Sequence, residues 1–202
     1  VGVATLLLQL PFFDRWVNAM DEGHMVQFAD LVAQGGVLYR DATIYPLPGA
    51  FYLLAGVFRI FEPSILVSRW LVSIEFALFV ALIVFWLRSW LRPSAVVAAV
   101  LVLWIYRLWA FPHWQIYSYS TTALLLFAVV LVLTSAFFES GRLRTLAFAG
   151  LVFGLGVFCK QDYGAVALLG IVFSLGVYAT RPFAVAGFGR LMAWFLAPAA
   201  AV

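Results

Sequence analysis

The chain has 202 residues, of which 66% are hydrophobic and 10% charged, with a mean hydropathy of +1.07. A soluble domain carries about 25% charged residues, so composition excludes one and turns the question to membrane crossings. The net charge of +3 does not indicate a nucleic-acid binder, because the basic residues are scattered singly and form no stripe; arginines in loops that fix topology account for them.

Apolar runs separated by Arg, Pro and Gly predict an all-α polytopic transmembrane bundle of about seven segments. They lie near residues 1–13, 64–87, 95–111, 119–138, 145–159, 164–180 and 190–202. The first run would extend only about 20 Å as a helix. It has no basic n-region or small-residue cleavage site, so it reads as the end of a truncated first helix rather than a signal peptide. The last run stops inside an apolar stretch, and the chain reads as a fragment forming one transmembrane domain, 1–202. In the fifth run, Gly150 and Gly154 form a GxxxG at which another helix can approach closely.

Residues 14–63 are too polar to span and form a large first loop. Within it, Met25, Phe28, Ala29 and Val32 recur at helical spacing, predicting a helix from Asp21 that ends at Gly35-Gly36. A second short helix is predicted from Phe51 to Phe61, after Pro48 and before Pro63. Both are amphipathic or apolar enough to lie along the membrane surface.

The loops after the second, fourth and sixth runs carry Arg88 and Arg92, Arg142 and Arg144, and Arg181 and Arg190. Those after the third and fifth hold Lys160 as their only cation. The positive-inside rule places the arginine loops in the cytoplasm, and residues 14–63, "PHWQIYSYS" and "KQDYG" outside. That assignment gathers Asp14, Asp21, Glu22, Asp30, Asp41, Glu62 and Asp162 on the outer face.

Asp21 and Glu22 are adjacent acids followed by His24. One reading is helix capping, with Asn18 as N-cap, Asp21 at N3 and the acids favoured by the helix dipole. The other is chemical. One carboxylate accepts the proton of an attacking hydroxyl, while the second orients that hydroxyl or binds a cation. Acids near His24 offer ligands to a divalent cation, although no spacing here is diagnostic of a metal. Cys159 is the only cysteine, so neither an intrachain disulfide nor a thiolate zinc site can form.

Lys160 is the only lysine, and it falls on the acidic outer side, where a snorkelling role or an anionic ligand such as a lipid phosphate accounts for it. Arg69 and Arg107, near the outer ends of the second and third runs, are candidates to join it in neutralising a departing phosphate. Glu75 lies about 16 Å along its helix from the outer end, and pairing with an arginine such as Arg107 is the favoured reading. Trp104, Tyr106, Trp109, His113, Trp114, Tyr117 and Tyr119 crowd the outer interface as an aromatic belt.

Taken together, Asp21-Glu22-x-His24, Gly36-x-x-Tyr39-x-Asp41, Pro46-Leu47-Pro48 and Lys160-Gln161 resemble the GT-C superfamily of integral-membrane glycosyltransferases, over roughly residues 10–165. That superfamily includes protein O-mannosyltransferases and aminoarabinose transferases. The resemblance implies a short first helix, then a large extracytoplasmic loop with two membrane-parallel helices. It also implies transfer of a sugar from a polyprenyl-phosphate donor to an acceptor hydroxyl at the outer face of the plasma (inner) membrane. By the same carry-over, Asp21 is the catalytic carboxylate and Glu22 its neighbour in the motif. Lys160 meets the donor phosphate, and His24, Asp41 and Gln161 belong to the substrate-binding set. The implied partners are the lipid-linked donor, membrane lipids, and a lipid, polysaccharide or protein acceptor. The prolines are split by Leu47 with no histidine before them, which points to a broad bacterial group acting on lipids or polysaccharides. The competing class is a transporter or flippase for a lipid or small anion, supported by Glu75 and Arg107 and expected to show interrupted helices at the midplane.

Overall fold

The computed structural model describes residues 1–15 and 17–202, with Trp114 described by its backbone alone. The described residues form nine α-helices and no strand. These are α1 (Gly2–Gln9), α2 (Asp21–Ala33), α3 (Gly49–Phe58), α4 (Ile65–Leu87), α5 (Pro93–Trp109), α6 (Tyr119–Ser140), α7 (Leu143–Cys159), α8 (Gln161–Ala179) and α9 (Phe188–Ala199).

Every predicted apolar run forms a helix, and three are long and apolar enough to cross a membrane: α4, α6 and α8, of 23, 22 and 19 residues. At 1.5 Å per residue they extend about 34, 33 and 28 Å, against a hydrocarbon core about 30 Å thick. The starts of α4 and α6 are chemically marked. Ser64 accepts the Val67 amide at 3.2 Å at the head of α4, and Ser118 and Thr121 make a reciprocal capping box at the head of α6. α6 ends at Gly141, whose φ of 65° is the left-handed conformation that closes helices at low cost for glycine. α5 and α7, at 17 residues each, and α1 and α9, at 8 and 12, are shorter.

The predicted outer loop "KQDYG" is corrected by the structure. Only Lys160 departs from helix (φ −155°, ψ 104°), serving at once as the last cap of α7 and the first of α8. Asp162 lies in the first turn of α8, where a carboxylate suits the positive end of the helix dipole, so the polar stretch is helical.

α2 and α3 pack against each other across one end of the bundle. The stripe Met25, Ala29 and Val32 is buried against Ala50, Phe51, Leu54 and Phe58 in one apolar cluster that also takes in Val72 of α4, Tyr117 and Cys159. Gly49 opens α3 where a side chain cannot fit, because a Cβ there would lie 2.8 Å from the Phe158 carbonyl oxygen and 2.9 Å from Cys159 Sγ. α3 therefore sits hard on the end of α7, beginning two residues before the predicted Phe51 and ending three before Phe61.

A second cluster joins α6, α7, α8 and α9 around Phe137, Leu146, Phe153, Leu175 and Phe195. The GxxxG face of α7 is taken up by α9. Cβ atoms on Gly150 and Gly154 would collide with the carbonyl oxygens of Phe195 and Ala199. The arginines at residues 88, 92, 142, 144, 181 and 190 fall where helices turn at the end opposite α2 and α3.

Candidate functional site

The two adjacent acids point in different directions. Glu22 is 1% exposed and forms a bidentate pair with Arg69, Nε to Oε1 at 2.6 Å and Nη2 to Oε2 at 2.8 Å. Arg69 also donates from Nη1 to the Phe13 carbonyl at 2.7 Å. One helical step earlier, Asp21 is exposed on the other face. Asn18 organises the entry to α2: its Oδ1 accepts the amides of Met20 and Asp21, and its Nδ2 donates to Asp21 Oδ2 at 2.9 Å. The capping reading therefore describes one side of Asp21 while leaving the residue exposed.

Asp21 and His24 border a cavity of about 460 Å³, walled further by Met25, Pro46, His113 and the segment Tyr117–Ser120. His24 is held by edge contacts with Phe28 and Phe51, ring centroids 4.4 and 6.1 Å away. Beside it lies a second cavity of about 270 Å³, bordered by Tyr45, Leu47, Lys160, Gln161 and Asp162. Pro46 and Tyr119 line both. The Lys160 ammonium donates to Ser120 Oγ at 2.9 Å, and Ser120 is a wall of the first cavity. The two cavities are thus neighbours with a shared wall, Asp21 bordering the larger and Lys160 the smaller.

Lys160 is half-buried and pairs with an exposed carboxylate. Its Nζ lies 4.4 Å from the centre of the Tyr163 ring, 5.2 Å from that of Tyr119, and 3.7 Å from Asp162, whose side chain is 65% exposed. Cation–π contacts and a solvated carboxylate hold such an ammonium in place without cancelling its field. An anion entering the smaller cavity meets a preorganised cation. A hydroxyl entering the larger one meets a carboxylate and an imidazole.

Four predicted members of the set stand elsewhere, Glu22 in its buried pair with Arg69 among them. Arg69 is locked to Glu22, and Arg107 is fully buried with Nε and Nη2 on Gln9 Oε1 at 3.0 and 2.7 Å. Neither lines either cavity, because a guanidinium buried at these helix ends takes partners from the bundle itself. Asp41 closes its own loop: it accepts the Val37 amide at 2.8 Å and pairs with Arg40 at 2.7 Å. The Arg40 hydrogen bond, seconded by the Val37 amide, holds the Asp41 carboxyl down at about 2, from an ordinary value of 3.8. That loop also carries Tyr39 in the left-handed region (φ 67°), its hydroxyl donating to the Pro46 carbonyl at 2.8 Å. Asp41 borders a different groove, with Gln27, Asp30 and Gln34. Glu75 and Arg107 make no direct ion pair among the described residues.

Sequence does not single out Ser120, Tyr163 and His113 as residues beside these cavities. Ser120 and Tyr163 carry one legible sign, their placement beside the helix start of α6 and one turn beyond Lys160; His113 becomes relevant only through the fold. The belt is divided: Trp109 is 80% exposed, Trp104 turns inward to donate to Thr5 Oγ1 at 3.0 Å, and the Trp114 side chain lies outside the described portion. Among the described residues, no group of three or more His, Cys, Asp or Glu is disposed to hold a metal ion. No protein-family model, curated protein or solved structure matches the chain.

Proposed function

We propose that this protein is a membrane glycosyltransferase that moves a sugar from a polyprenyl-phosphate carrier to an acceptor hydroxyl. Asp21 serves as general base and Lys160 meets the donor phosphate. The observation that carries the reading is the pair of adjoining cavities, with the exposed Asp21 carboxylate beside one and the Lys160 ammonium beside the other. Donor phosphate and acceptor hydroxyl have to be aligned before reaction, and two adjoining cavities supply that positioning. His24 lines the larger cavity and Gln161 the smaller, and both serve as substrate contacts. Glu22 acts indirectly, fixing the first turn of α2 through Arg69.

In this reading α1, α5, α7 and α9 complete about seven crossings with α4, α6 and α8. The arginine-rich end faces the cytoplasm and the α2–α3 layer faces outward from the plasma membrane. The transporter reading expects broken helices around a midplane site. The continuity of α4, α6 and α8 favours the transferase instead.

The test is Asp21→Asn in the full-length protein, assayed for transfer from a polyprenyl-phosphate-linked sugar. Loss of about 10²–10⁴-fold in rate at unchanged melting temperature is expected for a general base. Normal turnover removes Asp21 from the chemistry, and solute flux without transfer returns the transporter.

A further inference from the structure

Two buried charges are unused by the proposed chemistry. Glu75 in α4 is 4% exposed; its Oε1 accepts from Thr122 Oγ1 at 2.8 Å, and its Oε2 has no hydrogen-bond partner among the described residues. Arg107 in α5 is fully buried; its Nε and Nη2 both go to Gln9, and its Nη1 has no hydrogen-bond partner among the described residues.

The two groups occupy one region of the core. The Arg107 guanidinium carbon lies 4.6 Å from the centre of the Phe76 ring, the residue after Glu75. Gln9, which holds Arg107, is itself fixed to α4 by donating from Nε2 to the Ser73 carbonyl at 3.2 Å. Each charge acts on the other electrostatically, yet they form no direct ion pair among the described residues. Gln9 and Phe76 hold the guanidinium where it is, and Thr122 holds the carboxylate toward α6. What remains is a buried acceptor on α4 and a buried donor on α5, neither with a hydrogen-bond partner among the described residues.

The chemistry of these two atoms selects their ligand. An anion would meet the Glu75 carboxylate, and a metal cation would meet the Arg107 guanidinium; each is repelled by one side. An apolar group leaves both atoms unsatisfied, which buried polar groups rarely are. A small neutral dipole that donates on one side and accepts on the other fits both. Buried waters occupy such positions, with two to four polar partners each. We propose that a water molecule is bound between Glu75 and Arg107, donating to Oε2 and accepting from Nη1. The intramembrane charges then form a water-mediated ion pair.

The pair fastens α5 to the bundle. Only Val96, Val100 and Arg107 of α5 are buried, so the helix has little apolar contact to hold it. The inference is independent of the glycosyltransferase reading and holds or fails without it.

The experiment is a structure of the full chain in a lipid nanodisc at a resolution that shows ordered water, with melting temperatures of three variants alongside. A density peak within about 2.7–3.2 Å of both Glu75 Oε2 and Arg107 Nη1 is expected. A direct carboxylate–guanidinium contact, or no peak, overturns the proposal. Glu75→Leu and Arg107→Met are each expected to lower the melting temperature, and the double variant to recover above either single. If the two losses simply add, the groups are not coupled and the bridge is refuted.

Discussion

Glu22 and Arg69 lie 47 positions apart in sequence and meet as a two-pronged ion pair, with side chains 1% and 6% exposed. The pair ties the first turn of α2 to α4, and because α2 is a helix, it leaves Asp21 on another face. One acid of the adjacent pair is thereby held in a buried ion pair, while the other stays exposed beside the larger cavity and accepts from Asn18.

Removing one partner leaves an uncompensated buried charge. Glu22→Gln is expected to cost about 3–5 kcal/mol of stability. The double variant Glu22→Leu/Arg69→Met should recover most of that loss, since well-packed apolar residues replace such pairs at little net cost. Thermal unfolding in detergent measures both; a Glu22→Gln protein as stable as the parent would show that the pair is dispensable.

Lys160 is expected to govern affinity for a polyprenyl phosphate. Lys160→Met should remove most binding. Ser120→Ala should weaken it about tenfold, the worth of one hydrogen bond to a charged group. Titration with a short-chain polyprenyl phosphate reads both, and equal affinity in Lys160→Met would detach the ammonium from the donor.

The loop closed by Asp41 should respond to acid. Its carboxyl is held down at about 2, so its support is present above the ordinary carboxylate value near 3.8 and fades as pH falls through about 2. Asp41→Asn should therefore speed hydrogen exchange at the Val37 amide at neutral pH. Well below pH 2 the parent and the variant should exchange alike, and a difference that persists there contradicts the assignment.

The α7–α9 contact predicts opposite outcomes for different glycines. Gly150→Val drives a side chain into the Phe195 carbonyl and should cost about 1–3 kcal/mol or more. At Gly170 a Cβ would meet no described atom within 4 Å, so Gly170→Ala should gain about 0.5–1 kcal/mol. Melting curves of the two variants make the comparison.

Much of this architecture is written in the chain. Length and hydropathy determined the long helices, because an apolar run of about 20 residues has few alternatives. The i, i+3, i+4 stripe from Met25 to Val32 determined which face of α2 is buried, since helical geometry sets that spacing before any tertiary contact forms. The GxxxG announced a close helix approach, though not that α9 makes it.

Only the tertiary structure decided what each charge does. Asp21 and Glu22 are equivalent as letters, and so are Arg69, Arg107 and Lys160 as cations. Their roles separated when Glu22 found Arg69, Gln9 took Arg107, and Ser120 drew Lys160 to the wall of the Asp21 cavity. Ion pairs and hydrogen bonds act over a few ångströms, and the distances that matter join residues 40 to 98 positions apart. Local sequence sets helices and their faces; which charges meet depends on how those helices pack.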